Sequence, residues 1–435
     1  WNYFSIDTQD SNGNSLRNFE GNWRDIFQNW EALSYSYPEY TLSMISKFVN
    51  ASTIDGYNPY RISRKGIDWE VVDPEDPWSH IGYWGDHQII YLSKFIEFSM
   101  DFHPVRLKSF LNENLFTYAN VPYRIKGYDA ILSDPKNTIL FNREIEKTTA
   151  ENYNRVGSDG KLIWKNETEI VLVSLTEKFL VTTLTKLYNF IPDGGIWLNT
   201  QRPEWNDANN ALVGNGLSIV TLCYLRRFIS VLQNLYKTAE NSKFQINKPV
   251  FDLMEALNKG FVRYRSYLKT EFTPFSRREF MDDFGIAGEH YRTTAYEGFT
   301  GEKRWLDKLK LEEFLNTALD YINHTLENNK RPDGLYHSYN LLKLGENSAE
   351  ITQLYEMLEG QVAILSSGML DLDESVEILN ALKASKMYRE DQYSYMLYPD
   401  RNLPYFLDKN LLPPNSKNKI PIIQKMLNDE DCSII

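Results

Sequence analysis

The chain has 435 residues, of which 47 are basic and 59 acidic, so that its net charge is −12, and 42% of its residues are hydrophobic. This composition is typical of a folded globular protein with a large core. The acidic balance argues against nucleic acid, whose binding needs clusters of Lys and Arg, and no apolar run approaches the ~20 residues of a membrane-spanning helix.

The sequence also gives little sign of a metal or a cofactor. Two cysteines, Cys223 and Cys432, are too few for a disulfide framework or a cysteine-based zinc site. No Gly-rich phosphate loop, dinucleotide fingerprint or His-Glu-x-x-His helix occurs. We therefore expect neither a metal nor a cofactor. The compartment stays open, with the cytoplasm slightly favoured.

Helical periodicity dominates the chain, and strand-like alternation is scarce. Apolar residues recur at i, i+3 and i+4 in several segments, and each such stripe predicts a helix. The predicted helices cover 89–102, 169–188, 217–236, 250–268, 309–326, 351–365 and 375–382. The polar connections between them cover 52–82, 121–135, 191–215, 273–300 and 386–413. Connections this long are usually functional loops.

The helix spacing predicts an all-α fold. Roughly a dozen helices, each with about 36 residues including its connection, is the spacing of paired helices stacked into a solenoid or a closed toroid. No linker or low-complexity segment divides the chain. We therefore expect one domain over residues 1–413, followed by a Pro- and Asn-rich C-terminal tail over 414–435.

The segment 201–216 combines a Trp, two carboxyl groups and several amides just before a predicted helix. The ring of Trp205 can stack on a pyranose, and the carboxyl group of Asp207 or Glu204 can exchange a proton with a glycosidic oxygen. Asp at a helix boundary is also a common helix cap. The residues alone leave both interpretations open.

Three short motifs resemble the family 94 glycoside phosphorylases, which are the cellobiose and chitobiose phosphorylases. Residues 205–209 resemble the family's Asp-Trp-Asn-Asp-Gly-Met-Asn segment, in which the last Asp of Trp-Asn-Asp is the general acid. Residues 23–29 resemble Tyr-Arg-Asp-x-x-Gln-Asp, which binds the sugar in the −1 subsite, and 85–89 resemble Asp-Asp-x-x-Trp. The resemblance implies an (α/α)6 barrel, or six-hairpin toroid, with a catalytic site built by loops at one end.

A fourth segment, 358–363, departs from the family in an informative way. It resembles Thr-Gly-Thr-Ala-Ala-Trp, whose Thr-Gly pair contacts phosphate, but it carries Glu359 there. A carboxylate repels phosphate and can instead activate water, and the related glucoamylase-like hydrolases have a catalytic Glu in the corresponding place. We therefore expect an inverting glycoside hydrolase with Asp207 as acid and Glu359 as base, ~6.5–9.5 Å apart. A solvated or helix-capping Glu359 is the alternative.

The resemblance also implies the rest of the site. The expected sugar-binding residues are Arg24, Asp25, Gln28, Asp86, His87, Glu204 and Trp205. Glu297 is a rival base, and His337 falls near the family's phosphate-site residues, although a lone His beside two Tyr is commonly a structural hydrogen-bonder. Phosphate-dependent phosphorolysis and a non-catalytic sugar-binding barrel are therefore the alternatives.

The expected partner is an oligosaccharide, with neither nucleic acid nor a membrane. Members of the resembled family carry an N-terminal β-sandwich ahead of the barrel, whereas this sequence starts almost at the first motif. The resemblance thus implies either a shortened relative or one piece of a longer polypeptide. It leaves open whether a missing β-sandwich domain or a partner segment completes the site.

Overall fold

The computed structural model describes residues 9, 11–14, 20–59, 61–71, 75, 82–84, 89–202, 212–399, 404–409, 411–413 and 415–429. It is 54% helical, and 16% of it forms strands. The predicted all-α fold, and with it the (α/α)6 barrel, is therefore wrong. The chain combines helices with a five-stranded antiparallel sheet.

Helices make up most of the described chain. In order they are α1 (Trp23–Ser34), α2 (Thr41–Ala51), α3 (Ile89–Phe102), α4 (Pro104–Ser109), α5 (Tyr128–Ser133), α6 (Arg143–Val156), α7 (Leu175–Leu187), α8 (Ile219–Lys237), α9 (Lys248–Tyr264), α10 (Pro274–Glu297), α11 (Lys308–Glu327), α12 (Leu358–Ser366), α13 (Leu372–Ala384), α14 (Phe406–Lys409), α15 (Ser416–Lys419) and α16 (Pro421–Asn428). Short 3-10 helices cover Pro38–Tyr40, Gly157–Lys161 and Arg265–Lys269. None of these described helices has the length and apolar content needed to cross a bilayer.

The strands are short. They are β1 (Glu20–Asn22), β2 (Arg61–Ser63), β3 (Gly66–Asp68), β4 (Tyr83–Trp84), β5 (Tyr123–Ile125), β6 (Ile139–Phe141), β7 (Phe190–Ile191), β8 (Gly195–Trp197), β9 (Gln201–Arg202), β10 (Gly216–Ser218), β11 (Lys243–Asn247), β12 (Lys303–Asp307), β13 (Tyr339–Leu344), β14 (Ala349–Gln353), β15 (Tyr388–Arg389) and β16 (Ser394–Tyr395). The largest sheet has the antiparallel order β14-β13-β10-β8-β7. The strands β4 and β9 form a separate parallel pair.

In the largest sheet, β8 lies in the predicted loop 191–215, and β10 and β14 overlap the starts of the predicted helices 217–236 and 351–365. No element was predicted where β13 lies. The strands β8 and β10 are three residues long and buried throughout, so they lack the alternation of a half-buried strand. The predicted helix 351–365 is corrected too, because β14 occupies its start and α12 begins only at Leu358. A short apolar run does not distinguish a buried strand from a helix by period alone.

Helix α10 is the second large correction, because it fills most of the predicted loop 273–300. Its N-terminus is closed by Thr273 and Ser276, each of which bonds the other's backbone N–H. Its buried face includes Phe280, Phe284 and Tyr291. The many charged residues on its other face hid this stripe from the sequence analysis.

The remaining predicted helices are confirmed, with ends shifted by several residues at most. Helix α3 matches 89–102, and α8, α9, α11 and α13 fall on the predicted stripes. Helix α7 is buried over almost its whole length and lies in the core. Helix α8 packs against α3, α11 and α12, so it brings the elements of the candidate site together.

Candidate functional site

A cleft of about 430 Å³ lies between α1, α3, α8 and α12. Its walls are formed by Gln28, Glu31, Ile90, Tyr91, Lys94, Tyr224, Leu358, Glu359, Val362, Ser366 and Leu397. Two predicted site residues that are far apart in the chain, Gln28 and Glu359, therefore meet on one open volume. This is the place where the described residues best match the expected site.

Aromatic packing fixes the α1 wall of the cleft against α3. The rings of Trp23 and Phe27 are fully buried, with centroids 4.6 Å apart, and Phe27 lies 6.1 Å from Phe95 of α3. An ion pair closes the same interface at the cleft, because Lys94 Nζ donates to Glu31 Oε1 at 2.9 Å. The face of α1 that carries Gln28 is thereby held in place.

Glu359 is held at the first turn of α12 by a buried serine. Ser338 Oγ accepts a hydrogen bond from Gly360 N at 2.9 Å and donates one to the Met357 carbonyl at 3.2 Å. A Cβ on residue 360 would lie 2.9 Å from Ser338 Cα. Only glycine allows this close approach, so the Gly that follows Glu359 has a packing reason.

A buried glutamine fixes the same turn from a second side. Gln361 Oε1 accepts from Tyr336 N at 2.9 Å, and its Nε2 donates to the Tyr336 carbonyl at 2.8 Å. The two residues that follow Glu359 are thus anchored to segment 336–338. Glu359 lies in the first turn of α12, at the end of the helix where the dipole favours negative charge.

The strands β4 and β9 run parallel and end side by side, with Trp84 opposite Arg202. Two motif segments continue in the chain from these two strand ends. The predicted site residues in them, Asp86, His87, Glu204, Trp205 and Asp207, lie outside the described residues. The described chain resumes after the first segment at α3, whose residue Ile90 lines the cleft. The points from which both segments start are therefore adjacent.

A buried carboxyl group supports this strand pair. Asp55 is 1% exposed and accepts hydrogen bonds from Thr53 Oγ1, from Tyr83 OH at 3.1 Å and from Tyr296 OH at 2.7 Å. We call these four residues the Asp55 network. Tyr83 also bonds Thr200 through its backbone N–H. Burial, and then the Asp55 carboxyl group, raise the pKa of Tyr83 and of Tyr296 well above the usual range, so both hydroxyls remain donors.

Two predicted binding residues lie beside the cleft and not in its lining. Arg24 Nε and Nη2 donate to Asp25 Oδ1 at 3.1 and 3.0 Å. Both residues are about one helical turn before Gln28 on α1. They are absent from the described lining of the cleft, so their expected sugar contacts stay predictions.

Glu297 and His337 also lie away from the described cleft lining. Glu297 is exposed at the C-terminal end of α10, where the helix dipole disfavours a carboxylate. His337 is buried, and its Nδ1–H donates to the Leu354 carbonyl at 2.7 Å. Burial lowers the pKa of His337, which disfavours the positively charged form that would attract phosphate.

The sequence analysis missed several residues of the cleft lining. Glu31 and Lys94 form its ion pair, and Tyr91 and Tyr224 supply its aromatic surface. Helical spacing carries a signal for some of them, because Glu31 follows Gln28 by three residues and Lys94 follows Ile90 by four. That signal becomes usable only when one residue on each helix is already assigned to the site.

The described residues contain no group of three or more His, Cys, Asp or Glu arranged to hold a metal ion. Two further clefts, of about 1050 Å³ beside Asp193 and Arg277 and of about 350 Å³ between α9 and α10, contain none of the site residues predicted above.

Comparison of the chain with known families and curated proteins finds no family model and no curated protein that matches it.

Proposed function

We propose that the chain is a carbohydrate-active enzyme, an inverting glycoside hydrolase, with Glu359 as general base and Asp207 as general acid. The observation that carries this proposal is the cleft that joins Glu359 and Gln28. Its lining mixes the rings of Tyr91 and Tyr224 with amide and carboxyl groups. Such a lining suits a sugar, which has apolar faces and a rim of hydroxyl groups.

In the proposed reaction, Asp207 donates a proton to the glycosidic oxygen as the bond from C1 to that oxygen breaks. Glu359 takes a proton from water, and the water oxygen bonds to C1 on the opposite face, so the configuration inverts. Glu359 lies in the first turn of α12, where the helix dipole favours the negative charge that a carboxylate base carries. The two carboxyl groups are expected to lie ~6.5–9.5 Å apart.

The reaction type is tested by measuring sugar release from aryl glycosides and from α- and β-linked disaccharides, with and without inorganic phosphate. We expect release without phosphate, and a first-formed product of inverted configuration by NMR. A strict requirement for phosphate would contradict hydrolysis and establish phosphorolysis. Sugar binding without any turnover would mean a non-catalytic sugar-binding protein.

The general acid is tested with Asp207→Asn. We expect turnover to fall by roughly 10²–10⁴ on a substrate with a poor leaving group. The fall should be smallest on aryl glycosides with good leaving groups, because these need little protonation. The exposed helix residue Asp320 provides the control variant Asp320→Asn. Unchanged turnover of Asp207→Asn on the poor leaving group would place the acid elsewhere.

A further inference from the structure

Two aromatic rings follow the cleft residues along the chain, Tyr35 at the C-terminal end of α1 and Phe98 on α3. The two helices lie side by side and run in the same direction, because Glu31 pairs with Lys94 and, one turn further on both, the rings of Tyr35 and Phe98 are in contact. The ring centroids are 5.0 Å apart. Four residues along a helix advance about 6 Å, so this contact lies directly beyond the end of the cleft.

We call Tyr35, the half-buried Phe98 and Phe102 the aromatic platform; Tyr37, two residues beyond Tyr35 in the chain, is a further exposed ring. Phe98 stacks on Phe102 with centroids 4.4 Å apart and an angle of 23° between the ring planes. Tyr35 is 72% exposed, Tyr37 53% and Phe102 54%. A hydrogen bond between His103 Nε2 and the Pro38 carbonyl ties the neighbouring 3-10 helix to the end of α3. Contiguous exposed apolar surfaces of this kind mark binding sites.

Two exposed carboxylates are close neighbours of the platform residues in the chain. The exposed charged residues closest to the rings in the chain are Glu39, two residues after Tyr37, and Asp101, directly before Phe102. These carboxylates would repel nucleic acid and acidic lipid. Aromatic rings with hydroxyl and carboxylate neighbours suit a neutral ligand that has apolar faces and many hydroxyl groups.

We infer that the aromatic platform binds additional sugar units of a neutral oligosaccharide whose reacting bond lies in the cleft. The inference rests on the proposed function for the cleft, and it deepens that function by naming the substrate class as extended chains. The supporting feature is that the platform adjoins the cleft, since Gln28, Glu31 and Tyr35 follow one another at helical spacing, as do Ile90, Lys94 and Phe98. Each stacked sugar adds affinity without taking part in the reaction.

The test measures affinity against chain length in the full chain carrying Glu359→Gln, which prevents turnover. Calorimetry is run with neutral oligosaccharides of glucose, N-acetylglucosamine and mannose, from disaccharide to octasaccharide. In the series that fits the cleft, the octasaccharide should bind about tenfold more tightly than the disaccharide. Adding Tyr35→Ala and Phe102→Ala should abolish that gain, whereas Trp305→Ala, a similarly exposed aromatic residue on β12, should keep it.

Affinity that does not change with length in any series, or a gain that survives in the double variant, would overturn the inference. A dimer of the wild-type chain in analytical ultracentrifugation that is absent in the double variant would also overturn the inference, because the platform would then bind a second copy of the chain. Thermal melting followed by circular dichroism checks that the variants fold, and Tyr35→Ala alone provides a milder version. If the wild-type protein binds longer chains more tightly but shows no turnover, the proposed function is wrong, while the inference that the platform binds sugar units is supported.

Discussion

The cleft and the Asp55 network both contain carboxyl groups in largely buried surroundings, but they use them differently. In the Asp55 network the oxygens of Asp55 accept hydrogen bonds from three hydroxyls of the protein. In the cleft, Glu359 and Gln28 line an open volume of about 430 Å³. A buried carboxyl group enclosed by the protein's own donors holds the structure together, whereas one that lines an open volume can also contact a ligand.

The largest expected effect comes from breaking the Asp55 network. Asp55→Ala leaves the hydroxyls of Tyr83 and Tyr296 without their acceptor, while Thr53 keeps the Tyr57 carbonyl, and we expect the free energy of unfolding to fall by roughly 3–5 kcal/mol. Urea unfolding measures this loss. The exposed residue Asp320 on α11 provides the matched control, since Asp320→Ala should change stability by less than about 0.5 kcal/mol. Equal losses in the two variants would contradict the structural role of Asp55.

The second-largest effect is expected from removing the hydrogen bonds with which Ser338 holds the first turn of α12 at the cleft. Ser338→Ala removes the acceptor of Gly360 N and the donor to the Met357 carbonyl, and it should cost about 1–3 kcal/mol of stability. Because the first turn of α12 carries Glu359, turnover should also fall by roughly ten- to a hundredfold. As the control, Ser230→Ala removes only a bond to the backbone of its own helix. A loss of stability with unchanged turnover would show that Ser338 does not position Glu359.

The smallest effect is a dependence on alkaline pH. The pKa of Tyr296 is raised in the folded protein, so above about pH 10, near the usual tyrosine pKa, the unfolded chain loses its proton while the folded chain keeps it. Stability is therefore present below about pH 10 and falls as the pH rises towards the folded pKa, by about 1.4 kcal/mol per pH unit for each such tyrosine. In Tyr296→Phe the fall should be less steep by that amount. Identical slopes in unfolding experiments would contradict this prediction.

The sequence predicts the helices well where one face is apolar throughout, as in α3 and α8. It fails for α10, whose charged face obscures the stripe, and for β8 and β10, whose short buried runs carry no period. Spacing in the sequence does not predict that Gln28 and Glu359 line one cleft, because this depends on how α1 packs on α3 and how α12 packs on α8. Asp55 was missed because an Asp beside a Gly also occurs in ordinary exposed turns.

The central claim is that Glu359 is the general base, and replacing its carboxyl group tests this claim most directly. With Glu359→Ala, we expect hydrolysis of an aryl glycoside to fall by roughly 10²–10⁴, and added azide to restore release by forming a glycosyl azide of inverted configuration. The exposed residue Glu377 on α13 gives the matched control Glu377→Ala, which should keep the wild-type rate. Turnover that persists in Glu359→Ala at the wild-type level would contradict the account.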